Sequence, residues 1–332
     1  MRPSEADASR AAGSDRQVTA VTSLPRLGLG LAALGRPAYI NLGRDAELPA
    51  GRTVAAMRAA TWQVLDEGYA AGIRWIDAAR SYGHAEEFLA GWLGARGHGD
   101  VTVSSKWGYA YVGGWRTDAA VHEIKEHTLS QFLTQLTESR GLLGDRLSLY
   151  QVHSLTADSP LLRDTALQEA LAETAAAGLP AGFSTSGANQ AAVIRRALDL
   201  WVHGRRLFTA VQATWNPLEP SASAALRRAH DEGIRVLLKE ALANGRLAVQ
   251  PPRLLARMAA RHGVGPDAVA LAAALSQPWA DTVLIGAAGV TQLRANLAAA
   301  TLRLSDQDLA ELAGLAIEPA RYWAERAALP WT

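Results

Sequence analysis

The chain has 332 residues, and 49% of them are apolar, enough for one large core or two smaller ones. Lysine and arginine number 33 against 32 aspartate and glutamate residues, so the charge gives no reason to expect nucleic acid or an anionic membrane surface as a partner. Cysteine is absent, which excludes disulfides and thiolate chemistry and agrees with a cytoplasmic location. We therefore expect a small-molecule ligand.

The N-terminal residues are polar and lack the apolar stretch of a secretory signal. No later segment reaches the apolar length that a transmembrane helix requires. We expect residues 1–20 to form a flexible arm and residues 21–332 to form a single domain.

Short β-type runs alternate with helix-period segments along that domain, a pattern typical of βα units and a parallel sheet. Eight strands are predicted, the number that closes a (β/α)8 TIM barrel. They are Leu27–Ala33, Ile73–Asp77, Val101–Lys106, Leu147–His153, Ala181–Ser184, Ala210–Thr214, Ile234–Lys239 and Thr282–Ile285.

The helices predicted between these strands are Thr53–Ala71, Gly83–Ala95, His122–Ser139, Asp164–Ala177, Asn189–Val202, Ser221–Glu232 and Thr291–Ala300. Two extra helices are predicted near the C-terminus, at Pro252–His262 and Ser305–Ala316. The fold class is therefore α/β, a single-domain TIM barrel with two additional helices.

Two motifs suggest other chemistry and are weak. Gly28–Ala33 matches the dinucleotide-binding pattern G-x-G-x-x-A, but no helix follows it directly, so small residues that let a first barrel strand pack closely explain it better. His122 and His127 are five residues apart, not the four that places two zinc ligands on one helix face. We interpret that segment as a solvated helix face and predict no metal site.

Four polar residues fall where a barrel would bring them together. Asp77 ends the second predicted strand, Lys106 the third and His153 the fourth, and Tyr82 follows in the turn after Asp77. The carboxyl ends of barrel strands meet at one face, where barrel enzymes have their active sites. A single lysine or histidine at a strand end is usually an ordinary structural residue, but the four together predict a catalytic group.

These four residues resemble the catalytic tetrad of the aldo-keto reductases, a barrel family that reduces carbonyls with a nicotinamide cofactor. The segment Tyr82–Glu86 looks like the Y-G-x-x-E of that family, and the resemblance extends over most of the chain.

The resemblance implies a role for each member of the tetrad. Tyr82 would protonate the carbonyl oxygen as hydride arrives, and Lys106 would lower the pKa of the phenol. Asp77 would hold Lys106 in its charged form, and His153 would orient the substrate.

The same resemblance implies NADPH as the cofactor, with NAD as the alternative. The residues that would bind it are Ser184, Thr185, Gln212, Lys239, Leu242, Asn244, Gly245, Gly286, Gln292 and Asn296.

Four of the expected contacts depart from the family pattern. Thr185 stands where many members have asparagine, and Lys239 stands where an aromatic ring usually stacks on the nicotinamide. Ala288 and Ala295 stand where an arginine for the 2′-phosphate and a glutamate for the adenine are common. The preference between NADPH and NADH is therefore open.

Tryptophan is abundant, with 10 residues against 4 phenylalanines. Trp107, Trp115 and Trp215 follow predicted strands on the catalytic side, where aromatic rings could wall a substrate pocket. They could equally anchor loops to the barrel.

The sequence thus predicts an NADP-dependent aldo-keto reductase that converts an aldehyde or ketone to an alcohol. One alternative is a barrel that binds the cofactor with little turnover and acts as a sensing or regulatory subunit, an interpretation for which Thr185 and Lys239 leave room. Another is a cofactor-free hydrolase or lyase with Tyr82 and His153 as its acid and base.

Overall fold

The structure, a computed structural model, describes residues 26–332. The expected N-terminal arm, residues 1–20, lies outside the described residues. The strands in the described part are β1 (Leu27–Gly30), β2 (Trp75–Asp77), β3 (Thr102–Trp107), β4 (Tyr109–Tyr111), β5 (Glu123–Lys125), β6 (Leu147–Leu155), β7 (Ala181–Thr185), β8 (Trp201–Val202), β9 (Arg205–Arg206), β10 (Ala210–Thr214), β11 (Arg235–Lys239) and β12 (Thr282–Ile285).

Eight of these strands form a closed parallel barrel in the order β1-β12-β11-β10-β7-β6-β3-β2. Closure is direct, because Leu27 of β1 pairs with Val283 of β12 and Leu29 of β1 pairs with Ile76 of β2. The predicted TIM barrel is confirmed, and all eight predicted strands occur. The first ends earlier than expected, at Gly30, because the backbone N–H groups of Leu34 and Gly35 turn back to the carbonyl of Leu31.

The interior of the barrel explains the glycine motif in β1. A Cβ atom added to Gly28 would lie 2.9 Å from the side chain of Leu284 and 3.1 Å from the carbonyl oxygen of Trp75. The glycine therefore lets β1 approach its neighbours, and the closed barrel excludes the open dinucleotide-binding sheet as the fold.

The helices are α1 (Val54–Ala70), α2 (Ala85–Arg96), α3 (Leu129–Leu143), α4 (Thr165–Ala176), α5 (Gln190–Leu198), α6 (Ser223–Asp231), α7 (Arg246–Val249), α8 (Arg253–His262), α9 (Pro266–Leu275), α10 (Val290–Leu297), α11 (Asp306–Ala313) and α12 (Pro319–Ala327). Both predicted extra helices are present, as α8 and α11. Capping residues determine where several of these helices begin or end. The Thr53 hydroxyl caps α1, Ser305 and Asp308 form a capping box at α11, and Gly263, at φ 66°, ends α8.

The prediction of a helix over His122–Ser139 is wrong in its first part. Residues Glu123–Lys125 form β5, which pairs antiparallel with β4, and α3 begins only after the Thr128 cap. His122 and His127 are 7% and 3% exposed, so this segment is not a solvated helix face.

Two further differences concern the helices. The predicted helix Asn189–Val202 stops at Leu198, because Trp201–Val202 forms the small hairpin β8–β9. Three helices, α7, α9 and α12, were not predicted. In α9 the apolar residues run all round and most of them are buried, so no 3.6-residue periodicity marks the helix in the sequence.

The segment from Leu31 to Arg52, here called the β1 loop, is tied down by a buried arginine. Arg44 is 0% exposed and donates to the carbonyl oxygens of Ala33 at 2.7 Å, Pro37 at 2.8 Å and Arg36. It also donates to the Thr332 carbonyl at 2.7 Å. The β1 loop and the last residues of the chain therefore form one wall.

Among residues 26–332, none of the helices has the length and apolar character needed to cross a membrane.

Candidate active site

The four predicted catalytic residues lie together at the carboxyl end of the barrel. Asp77 is the last residue of β2, Lys106 lies in β3 and His153 in β6, and Tyr82 lies in the turn between β2 and α2. Because the strands are parallel, their carboxyl ends share one face, so residues distant in sequence become neighbours.

Lys106 is completely buried, and all three of its ammonium protons have acceptors. One hydrogen bond goes to a carboxylate oxygen of Asp77, one to the Ala78 carbonyl at 2.9 Å and one to the Tyr82 hydroxyl at 3.2 Å. The lysine is therefore not an ordinary surface residue, and its charge is directed at the phenol.

Asp77 is held from both sides. Its other carboxylate oxygen accepts from Ser104 Oγ at 2.7 Å, Gln151 Nε2 at 3.1 Å and Gln212 Nε2 at 3.2 Å. A buried ion pair is stable only when its remaining hydrogen-bonding capacity is satisfied, and these three donors satisfy it. The pair is thus a fixed support for Tyr82.

Tyr82 is 8% exposed and lies between two cations. Lys106 Nζ is 4.7 Å and Arg36 Cζ 5.2 Å from its ring centre. Burial raises the pKa of Tyr82 well above its ordinary value, Asp77 raises it further, and Arg36 opposes them. This net direction is the reverse of the lowering expected from Lys106 alone. The phenol therefore keeps its proton near neutral pH, the form that can act as an acid.

His153 lies edge-on to Tyr82, with ring centres 5.5 Å apart and the planes at 83°. Its Nδ1 is 3.3 Å from Ser81 Oγ. Burial lowers the pKa of His153 well below its ordinary value, and Lys106 and Lys239 lower it further. The imidazole is therefore neutral and can hydrogen-bond an oxygen without adding charge.

A cavity of about 310 Å³ opens beside these residues. Its walls come from barrel strand ends, the β1 loop, the β4–β5 hairpin, α12 and the final segment of the chain. The lining residues include Gly30, Arg36, Tyr39, Asp77, Tyr82, Tyr109, Glu123, His153, Ser186, Gln212, Lys239, Glu240, Leu242, Asn244, Gly286, Arg326 and Trp331.

Arg36 forms one side of this cavity and is 1% exposed. Its Nη1 donates to Glu123 at 2.7 Å and to the Ser81 carbonyl at 3.0 Å, whereas its buried Nε has no hydrogen-bond partner within residues 26–332. Its guanidinium also lies over the rings of Tyr39, at 4.6 Å, and Trp331, at 5.0 Å. Arg36 thus packs the β1 loop against the last residues of the chain.

Lys239, Glu240 and Arg326 form the other charged side. Two nitrogens of the Arg326 guanidinium donate to one oxygen of Glu240, and Thr214 donates to the other at 2.9 Å. Burial alone would raise the pKa of Glu240, but Arg326 and Lys239 outweigh it and lower that pKa to about 2. Glu240 has φ 54°, a conformation that non-glycine residues rarely adopt and that often marks functional sites.

Five of the predicted cofactor residues line the cavity: Gln212, Lys239, Leu242, Asn244 and Gly286. Among these, and within the described part of the chain, Asn244 has a free hydrogen-bond acceptor and Gly286 has open space beside it. Asn244 Oδ1 is buried without a partner within residues 26–332, and a Cβ atom added to Gly286 would have nothing within 4 Å. An amide-bearing ring would supply a donor for such an oxygen, so this part of the site fits a nicotinamide cofactor.

The other predicted cofactor residues do not line the cavity. Ser184 Oγ accepts the backbone N–H of Ser154 at 2.8 Å, and Thr185 Oγ1 is 3.5 Å from Gln190 Oε1. Gly245 approaches the β1 loop, where a Cβ atom added to it would lie 2.5 Å from the Leu42 carbonyl oxygen.

The last two of this set, Gln292 and Asn296, belong to α10. Gln292 Oε1 accepts the Ala288 backbone N–H at 3.0 Å, and Asn296 donates to Asp267 at 2.7 Å. Both side chains are already bonded within the protein.

The three tryptophans predicted to line a substrate pocket lie outside this cavity. Trp107 is fully buried against Phe132, and Trp215 donates to Ser223 Oγ at 2.9 Å. Trp115 donates to the Arg52 carbonyl at 2.8 Å, which joins its loop to the β1 loop. Trp115 and Trp215 anchor loops, Trp107 belongs to the core, and the cavity takes its aromatic wall from Tyr39, Tyr109 and Trp331.

Several cavity residues were not predicted as site residues, among them Arg36, Tyr39, Glu240 and Arg326. Glu240 had a usable signal, because it directly follows Lys239 at a strand end. The pairing of Glu240 with Arg326 had none, since the two are 86 positions apart and α12 was not recognised.

Comparison with known proteins identifies relatives of this barrel. The model of the Aldo/keto reductase family matches residues 26–317. The chain is similar to aldo-keto reductase str7 of Strobilurus tenacellus, with 25% identity over 77% of this chain and 81% of that protein. It is also similar in structure to the holo form of aldo-keto reductase AKR11C1 from Bacillus halodurans, with a TM-score of 0.65, 20% identity and coverage of 88% of this chain and 92% of that one.

Proposed function

The chain belongs to the aldo/keto reductase family, and from that premise we propose that it reduces an aldehyde or ketone to an alcohol with a nicotinamide cofactor. The observation that carries the proposal is the contact of a fully buried, Asp77-paired Lys106 with the Tyr82 hydroxyl at the edge of a cavity. A structural role alone does not require a buried cation to face a phenol.

The proposed mechanism assigns one task to each residue. When bound, a nicotinamide cofactor supplies the hydride for the carbonyl carbon. Tyr82 gives its proton to the oxygen on which negative charge develops. Lys106, which donates to the same phenol oxygen, then stabilises the phenolate, and Asp77 keeps Lys106 charged and oriented. Neutral His153 donates to or orients the substrate oxygen.

We propose that Gln212, Leu242, Asn244 and Gly286 hold the nicotinamide half of the cofactor, since all four line the cavity. The resemblance places the 2′-phosphate of NADPH near the start of α10, and the residues there do not favour it. Ala288 is fully buried, and the carboxylate of Glu47 lies against Gly289, where a Cβ atom would be 2.1 Å from Glu47 Oε2. A carboxylate beside the start of α10 would repel a 2′-phosphate, so NADH is the better-supported form.

The first test is a titration of the purified protein with NADPH and with NADH, followed by tryptophan fluorescence, together with turnover assays on aldehydes. We expect saturable binding of at least one cofactor and its oxidation when an aldehyde is added. Binding without oxidation by any carbonyl would favour the sensing or regulatory interpretation. Absence of binding would contradict both.

Tyr82→Phe tests the role of the phenol. Loss of the proton donor should lower kcat by about 100-fold or more, while the Kd for the cofactor changes little. Tyr109→Phe is the matched control, because Tyr109 lines the same cavity and contacts His153 but makes no bond to Lys106. Equal effects of the two variants would contradict the assignment.

A further inference from the structure

The charged groups around the cavity do not balance. Arg36 pairs with Glu123, Lys106 with Asp77 and Arg326 with Glu240, and each pair lies within hydrogen-bonding distance. When Lys106 is counted, which is buried and bonded to Asp77 and Tyr82 of the cavity lining, the described residues of this site have four cations and three carboxylates. Lys239 is the fourth cation.

Few groups in the described part of the protein offset the positive charge of Lys239. Its Nζ donates to Thr214 Oγ1 at 3.0 Å and is 3.8 Å from Glu240, whose carboxylate is already bonded by Arg326 and Thr214. An ammonium has three donors, so two remain for a ligand. The side chain is 16% exposed, and its exposed part belongs to the cavity wall.

The charge of Lys239 argues against a stacking contact with the nicotinamide ring. The family resemblance places an aromatic ring at this position, to stack on the cofactor. An ammonium cannot stack in that way, and it would repel a ring that becomes positive on oxidation. An anion bound to Lys239 would offset this repulsion, because it would neutralise the ammonium.

We propose that the substrate is a small carbonyl compound bearing a carboxylate, which Lys239 binds while the carbonyl oxygen meets Tyr82 and His153. This rests on the proposed reductase function and adds the substrate class to it. Lys239 shares its only nearby carboxylate, Glu240, with Arg326, so its buried charge is incompletely compensated within the described residues of the site. Incomplete compensation of a buried charge is costly, so a carboxylate that binds Lys239 gains affinity that an uncharged carbonyl does not. Burial lowers the pKa of Lys239 to about 8, which leaves it cationic near neutral pH.

The experiment compares two aldehydes with the same four-carbon oxoacid chain, 4-oxobutanoate and its methyl ester, near neutral pH and at saturating cofactor. The ratio of their kcat/KM values is the readout. For the unaltered protein we expect the carboxylate to be preferred by about tenfold or more, the usual worth of one charge-assisted hydrogen bond. Equal values for the two aldehydes would overturn the proposal.

Three variants test whether Lys239 is the residue that causes the preference for the carboxylate. Lys239→Met should bring the ratio close to one, whereas Lys239→Arg, which keeps the charge, should retain most of the preference. Lys125→Met is the matched control, because Lys125 lies outside the cavity lining, and it should leave the ratio as it is. An intact ratio in Lys239→Met, with cofactor affinity lost instead, would assign Lys239 to the cofactor and overturn the proposal.

Different results would overturn the reductase function and the carboxylate site. If neither aldehyde is reduced with NADPH or NADH, and no other carbonyl is, the reductase function fails and the substrate class fails with it. If both aldehydes are reduced at equal kcat/KM, the reductase function stands and only the carboxylate site is overturned.

Discussion

The Lys106 ammonium is fully buried and forms an ion pair with Asp77. Removal of one partner from a buried ion pair leaves the other charge uncompensated, which typically costs about 3–5 kcal/mol. Asp77 would still have its three other donors, Ser104, Gln151 and Gln212. The cost should therefore be at the lower end of that range.

Lys106→Met should accordingly lower the free energy of unfolding by about 3 kcal/mol and abolish most of the turnover, since Tyr82 loses its cationic neighbour. Urea unfolding and aldehyde reduction measure the two effects. Asp77→Asn combined with Lys106→Met should recover much of the stability and none of the activity. Turnover close to that of the unaltered protein in Lys106→Met would remove the lysine from the mechanism.

The sequence alone predicted the positions of some site residues but not the environments of their side chains. Asp77, Lys106 and His153 each end or nearly end a strand, so local pattern and barrel topology together place them on one face. The pKa of Tyr82 depends on its burial and on Arg36, which the sequence does not place beside it. The direction of a tryptophan side chain is likewise set by packing, as for Trp107.

Among the larger elements, the β1 loop depends on a single side chain. Burial lowers the pKa of Arg44 to about 9, with Arg52 and Arg36 adding to the effect, and its guanidinium satisfies four carbonyl oxygens. The loop carries Arg36 and Tyr39 into the cavity wall. The cavity therefore keeps its shape only while the β1 loop is held in place.

Arg44→Met should lower the free energy of unfolding by about 3–5 kcal/mol, because several buried carbonyl groups lose their donors. Arg58→Met, on the exposed side of α1, is the control and should change stability by no more than about 0.5 kcal/mol. Thermal or urea unfolding decides between them. A similar small change in both variants would show that the loop does not need Arg44.

The start of α10 provides a test of cofactor preference. Glu47→Gln removes the carboxylate that lies against Gly289, so repulsion of a 2′-phosphate should fall. We expect NADPH binding to tighten by about fivefold, whereas NADH, which lacks that phosphate, serves as the internal control and should change little. Equal changes for both cofactors would place the phosphate away from Glu47.

The helices and hairpins show where sequence patterns stop being sufficient. Amphipathic helices such as α1 were predicted close to their true bounds because one face repeats every three to four residues. Strand β5 lay inside the predicted helix His122–Ser139, since Glu123–Lys125 is short, charged and continuous with helix-forming residues. Its strand form depends on pairing with Tyr109–Tyr111, a contact outside the segment itself.

For the whole molecule, buried neutral histidines set the response to acid. Burial, with a smaller contribution from the charge of Lys125, lowers the pKa of His127 to about 4. An unfolded histidine titrates near about 6.5, so between about pH 6.5 and 4 the unfolded chain binds a proton that the folded chain does not. Stability is therefore lost as the pH falls through this window. His153 acts in the same direction.

The expected loss from His127 alone is about 3 kcal/mol between pH 6.5 and 4, measured by urea unfolding at several pH values. His127→Gln should make this dependence shallower, and His203→Gln, at an exposed position, should leave it as it is. Glu240, whose pKa is lowered to about 2, should add a second loss as the pH falls below about 4.5. A pH-independent free energy down to 4 would contradict the buried, neutral state of His127.

The pairing of β1 with β12 also affects when the pocket can form during folding. The first and last barrel strands are neighbours, and the cavity takes residues from both, as well as Trp331 near the end of the chain. Contacts between segments so far apart in sequence form slowly, because a long loop must close before they are gained. During synthesis the pocket therefore stays incomplete until β12 and Trp331 have left the ribosome.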